Sequence, residues 1–249
     1  MEVYVMIKIV TSAERHTSEK EWIHSEFSFS FADYEDPSNS HFGCLLAHND
    51  NQLQPQEGFN KHPHHDLEIV SYVISGELQH EDDMGNQHIL EAGTVQVMSA
   101  GTGLQHAETN PSTIDPVRFL QMWFLPSSPN LEPRWAYRNF PKEMMTNQWQ
   151  PVVVGQKELQ TEDHSPLSIQ QDVTIYLPIL ETGKELVFPQ KEDRRTHLFL
   201  ISGNLEIQCD EGTFHLEPGD AARIHKACDL NIKGSSSEGI SEFILVDLP

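Results

Sequence analysis

Apolar residues along this chain recur at every second position far more often than at every third or fourth. Phe27, Phe29 and Phe31 alternate with serines, the period of a half-buried strand, and the aromatic stripe reads as core. Short apolar runs follow at 68–74, 94–98, 118–125, 152–154, 173–177, 197–201 and 243–246. Turn chemistry separates them, as at Gly85-Asn86, Gly203-Asn204 and Pro218-Gly219-Asp220. Many short strands with Gly and Pro punctuation predict an all-β chain of the jelly-roll barrel kind. Helix is expected only at 18–21 and 141–145.

A weak repeat divides the chain. Ile74-Ser-Gly-Glu-Leu, an acidic stretch, Gly85 and then Ile89-Leu-Glu-Ala-Gly93 return as Ile201-Ser-Gly-Asn-Leu, an acidic stretch, Gly212 and then His215-Leu-Glu-Pro-Gly219. The glycines have a reason in both copies, because strand-turn-strand corners need positive φ. Two similar β-barrels are expected, one over 1–130 and one over 131–249, with the proline-rich 126–133 as the start of a semi-rigid linker.

Candidate chemistry is concentrated in the first copy. His62-Pro63-His64 and His106-Ala107-Glu108 each place two metal-binding side chains at i and i+2, on one face of an extended segment. Brought together, they make three imidazoles and a carboxylate, donors that suit a divalent first-row metal and leave two positions of a six-coordinate ion for substrate and dioxygen. The repeat tests this. His62 and His64 lie fourteen and twelve residues before Gly76, and the same steps back from Gly203 reach Pro189 and Lys191. Forward from Gly93 lie His106 and Glu108, whereas Gly219 leads to Ile232 and Gly234, so no metal ligands are expected in the second barrel. Pro63 limits the movement of its flanking imidazoles and implies an edge strand or a bulge. His80 and His88, beside acidic residues on a hairpin, are expected to be solvated.

Charge and cysteine content narrow the classes. Lys+Arg of 16 against Asp+Glu of 38 gives −22, which disfavours direct contact with nucleic acid or anionic lipid. Cys44, Cys209 and Cys228 show no disulfide spacing, which fits a reducing compartment. With no apolar run of membrane-spanning length and no cleavable leader, a cytoplasmic protein is expected.

These residues together resemble the pirin family. The resemblance is carried by His62-Pro-His64, Glu68, Gly76-Glu-Leu, Gly93 and Ala100-Gly-Thr-Gly-Leu-Gln-His106-Ala-Glu108. Phe31-Ala-Asp-Tyr-Glu-Asp-Pro37, Phe42-Gly43, Asn49-Asp50, Gly58-Phe59 and Leu131-Glu-Pro-Arg134 extend it, strongly over the first half and weakly in the second. It implies two tandem RmlC-like cupin domains, an N-terminal metal-binding one over 1–130 and a C-terminal one over 131–249 without metal ligands. It also implies a single metal on His62, His64, His106 and Glu108, with Glu68 relegated to a supporting hydrogen bond or salt bridge. Fe(II) is the usual ion, although Mn, Ni, Co, Cu and Zn suit the same donors.

Bacterial members are reported as quercetin 2,3-dioxygenases. The resemblance therefore implies a flavonol and dioxygen as substrates, release of carbon monoxide, and Glu108 as the base for the flavonol hydroxyl. The alternative is a non-enzymatic metal-binding regulator acting through a protein partner, since the vertebrate member is described as a nuclear transcriptional co-regulator.

Overall fold

The computed structural model describes residues 7–155, 165–225 and 229–249. The described residues form two compact units: 16–140 with 155 and 165–172, and 7–15 with 141–154, 173–225 and 229–249. Each is built from two antiparallel sheets.

In the first unit the larger sheet has seven strands, in the order Arg134–Asn139, Thr94–Ser99, Glu68–Ser75, Val117–Phe124, Leu45–Leu53, Ile23–Phe27 and His16–Lys20. The smaller has four, in the order Gly58–His64, Leu104–Thr109, Glu77–Asp82 and Gln87–Glu91. Leu78 and Leu90 from the small sheet pack against Ile23, Leu53, Val73, Val117 and Phe119 from the large one, all buried. A second apolar cluster of the same unit gathers Leu67, Ile69, Met98, Ala100 and Leu104.

The second unit repeats the plan. One sheet runs Ile7–Val10, Ala221–Ile224, Arg195–Ser202, Ile240–Leu248, Thr174–Tyr176 and Pro151–Gly155. The other runs Glu185–Pro189, Asp229–Gly234, Leu205–Cys209 and Gly212–Leu216, over a core that includes Leu198, Leu200, Ile207, Ile232 and Leu245. The chain is thus all-β with two cupin jelly-roll barrels. The repeat in the sequence corresponds to the end of one strand and the two strands that follow it in each unit. Gly76 and Gly203 occupy equivalent corners at φ +77° and +78°, where a Cβ would press on the backbone of Val117 and Ser241 respectively.

All seven expected apolar runs fall on strands, and the helix expected at 141–145 is the single turn Lys142–Met145. Other local expectations fail. Residues 18–21 are not helical: His16–Lys20 pairs along Ile23–Phe27, because four polar residues cannot nucleate a helix while an adjacent strand offers hydrogen bonds. The strand expected to carry Phe27, Phe29 and Phe31 ends at Phe27, and Phe31 keeps only an isolated bridge to Tyr34.

The proline-rich 126–133 is a connection inside the first unit. The strand after it, Arg134–Asn139, pairs with Thr94–Ser99 and packs Trp135 against that barrel's core. At the other end, Ile7–Val10 pairs with Ala221–Ile224, so the N-terminal segment completes the second barrel where a cut at 130/131 assigns it to the first. No helix among the described residues is long and apolar enough to cross a membrane.

Candidate metal centre

The small sheet of the first unit assembles the donors. Leu104–Thr109 lies between Gly58–His64 and Glu77–Asp82, with His106 opposite His62 on one side and Glu108 opposite His80 on the other. Gly58–His64 is an edge strand, as Pro63 requires. Its register against Leu104–Thr109 shifts between His106 and Glu108, whose partners are His62 and Phe59, leaving an extra residue on the edge strand. At this bulge the Asn60 carbonyl accepts a hydrogen bond from His62 Nδ1 at 2.8 Å. That bond fixes the His62 tautomer and leaves Nε2 as the free donor.

The rings of His62, His64 and His106 form a triangle with centroid separations of 4.7, 4.6 and 5.0 Å. Among the described residues, donor atoms lie within 4.8 Å of one another in two sets that share His106: His62, His64 and His106, and His80, His106 and Glu108. His106 is common to both sets, and Glu108 falls in the one with His80 rather than the one with His62 and His64. Burial, with its imidazole neighbours, pushes His64 down to about 4 and His106 to about 3. Both rings are neutral at neutral pH, the state in which a ring nitrogen can bind a cation.

Two features test whether a cation fits. His106 is 1% exposed and neither ring nitrogen has a hydrogen-bond partner among the described residues. Leaving buried polar atoms unpaired costs about 1–3 kcal/mol each, and a cation between these donors supplies a missing partner. Glu108, also buried, has both oxygens engaged: Oε1 accepts from Gln96 Nε2 at 2.6 Å and Oε2 from Gln121 Nε2 at 2.7 Å. The amides are anchored in turn, since Gln96 Oε1 accepts from Trp135 Nε1 and Gln121 Oε1 from Trp123 Nε1. The chain Trp135, Gln96, Glu108, Gln121, Trp123 holds the carboxylate in one orientation, the kind of support that metal ligands need.

His80 is the correction at this site. Its side chain is fully buried, lies flat against Trp135 at 4.6 Å, and places Nε2 3.3 Å from Asp82 Oδ2. Asp82 is itself held by the backbone N–H groups of Met84 and Asn86 and by the Asn86 side chain. The acidic neighbours that made His80 look solvated form a tight turn that caps it. His88 behaves as expected, exposed and stacked on Tyr137.

Glu68 stands apart from both donor sets. Buried, it accepts from Ser99 Oγ at 2.7 Å and from the Gln170 N–H at 3.0 Å, and burial raises its pKa. It ties residues 165–172 to the barrel. The turn that leads to His106 is also braced: Thr102 N–H donates to the Leu131 carbonyl, and Gly101 at φ +46° leaves no room there for a Cβ. Among the described residues Cys44 and Cys209 are in no disulfide, and Cys228 lies outside them.

Beside the donors lies a cavity of about 250 Å³. Trp22, Phe27, Phe31, Phe59 and Trp123 supply aromatic walls, while His62, His64, Glu108, Gln121, Asn49 and Asn51 supply polar groups. Phe31 meets Trp123 edge-on at 4.9 Å, and Trp22 meets Phe59 edge-on at 5.3 Å. Of the hydrophobic residues near the ligand motifs, Phe59 lines this space, whereas Met98 and Leu104 pack in a core cluster with Leu67 and Ile69.

Comparison with known proteins agrees with this geometry. A family model described as Pirin matches residues 10–124, and one described as Quercetinase C-terminal cupin domain matches residues 160–248. The chain is 32% identical over 246 residues to a protein named quercetin 2,3-dioxygenase from Escherichia coli strain K12, covering 98% of this chain and 99% of that one. It is 33% identical over 228 residues to a pirin-like protein of Caulobacter vibrioides, covering 91% and 92%. The crystal structure of the bacterial pirin YhhW from Escherichia coli in complex with nickel(II) matches with a TM-score of 0.87 at 31% identity, over 98% of this chain and 99% of that one.

Proposed function

This chain belongs to the pirin family, and we propose that its first barrel is a metal-dependent dioxygenase that opens a flavonol such as quercetin at the 2,3 position. Flavonol and O2 give the ring-opened ester and carbon monoxide, with all atoms accounted for. One divalent ion, assigned as Fe(II), is held by His62, His64, His106 and Glu108. The observation that carries the reading is the triangle of imidazoles around the unpartnered His106 ring, set against an aromatic-walled cavity. When bound, the ion acts as a Lewis acid toward the flavonol 3-hydroxyl and as the centre for dioxygen chemistry.

The chain's own side chains supply the rest. Trp22, Phe27, Phe31, Phe59 and Trp123 hold a flat ring system and keep water from it. Glu108 takes the 3-hydroxyl proton as general base, and the two glutamine amides keep its oxygens aimed while it does so.

The test is aerobic incubation of metal-reconstituted protein with quercetin, following loss of flavonol absorbance and release of carbon monoxide. Turnover that disappears in His106→Ala is expected. No turnover with Fe, Mn, Ni, Co, Cu or Zn would sink the enzyme reading.

A further inference from the structure

The inner face of the large sheet is polar where it meets the donors. Asn49, Gln121, Ser71 and Gln96 are successive cross-strand partners in one row over four strands, and all four are buried. Three of them have work within the barrel. Gln121 and Gln96 hold Glu108, and Ser71 Oγ accepts from Gln121 Nε2 at 3.4 Å. Asn49 is different. It is 1% exposed, and its side-chain oxygen has no hydrogen-bond partner among the described residues.

An unpaired buried amide oxygen is a standing cost unless something occupies it. Asn49 lines the cavity that His62, His64 and Glu108 also line. Its cross-strand partner on the other side is Phe27, an aromatic wall of that cavity. Two residues on, Asn51 cannot play the same part, because its side-chain oxygen already accepts from Ser25 Oγ at 2.7 Å. The cavity itself, about 250 Å³, falls just below the usual range of ligand pockets, about 300 to 1,000 Å³, and so suits one compact planar molecule.

We infer that Asn49 determines specificity by accepting a hydrogen bond from a ring hydroxyl of the substrate, a hydroxyl other than the one presented to Glu108 and the metal ligands. The substrate class is a planar aromatic compound with at least one further hydroxyl, and this rests on the flavonol reading above. A pocket that presents an acceptor discriminates against analogues lacking the donor, since the acceptor is then left buried and unpaired.

The experiment compares quercetin with 3-hydroxyflavone, which keeps the 3-hydroxyl and lacks the other ring hydroxyls. Ferrous-reconstituted protein is titrated anaerobically, so that binding is read without turnover, from quenching of Trp22 and Trp123 fluorescence in the cavity wall. Wild type should bind quercetin the more tightly. Asn49→Leu, and Asn49→Ala in case leucine overpacks the site, should weaken quercetin about three- to tenfold, the value of one neutral hydrogen bond. Both variants should bind 3-hydroxyflavone as wild type does and retain full iron content. If the variants bind quercetin unchanged, or lose both ligands equally, the assignment of Asn49 is overturned while the flavonol reading stands. If wild type binds neither compound, the flavonol reading fails and takes this inference with it.

Discussion

Replacing Gln121 by methionine tests the claim that Glu108 is held in place by its amide partners. The side chains are close in size and both unbranched, so the change removes hydrogen bonds without opening a large cavity. Glu108 Oε2 loses its 2.7 Å donor, and Trp123 Nε1 loses its 3.0 Å acceptor. A hydrogen bond to a buried charged group contributes about 1.5–3 kcal/mol. Trp123 is half-buried and can turn its N–H toward water, so its loss adds at most about 1 kcal/mol. Metal-free Gln121→Met should therefore be about 1.5–4 kcal/mol less stable in the first barrel.

Gln96→Met should cost a similar amount, because Gln96 repeats the arrangement with Oε1 and Trp135. The double variant should cost less than the sum. Both amides hold the same carboxylate, so the two losses are coupled rather than independent. Urea unfolding of chelator-treated protein, followed through the first barrel's tryptophans, measures this from the midpoint at constant slope. Losses below about 0.5 kcal/mol for both single variants would refute the idea that the two amides orient Glu108.

Two other perturbations probe the scaffold. A Cβ at Gly58 would lie 2.5 Å from Thr109 Cα and press on the Glu108 carbonyl, so Gly58→Ala should push apart the two strands that carry the donors. Metal content by mass spectrometry should fall in that variant and stay at wild-type level in Gly85→Ala, where a Cβ at φ +91° meets nothing within 4 Å. In the second barrel, burial with the charges of Arg223 and Arg15 pushes His197 down from 6.5 to about 3. The native form resists a proton that the unfolded chain accepts, so this contribution is intact above pH 6.5 and is lost as pH falls toward 3. At pH 5 the loss is about 2 kcal/mol, and His197→Asn should lower stability at pH 7 while removing that part of the acid sensitivity in urea titrations.

The resemblance of the whole first half to one family rests on compound motifs, and the fold bears it out. The misreadings share a physical origin. Ser18-Glu-Lys-Glu has helix-forming residues, yet a neighbouring strand claims its backbone. His80 sits in a polar stretch that looks solvated until Asp82 and Trp135 close over it. Residues 126–133 have the composition of a linker, but Trp135 draws the next strand back onto the barrel it has just left.

Local periodicity alone determined the strands, their corners and the two donor pairs, because a side chain two residues along a strand points the same way wherever that strand lies. The repeat added the expectation that the donors belong to one barrel. Tertiary structure decided what surrounds them. Gln96, Gln121 and Asn49 are ordinary amides in the sequence, separated by dozens of residues, and they become one row only through the pairing register of four strands. Register depends on which faces find apolar partners and where bulges intervene, neither of which short-range pattern encodes. That is why the candidate donor pairs were legible at first sight, while the groups that hold Glu108 and the Asn49 amide beside the cavity appeared only in the folded barrel.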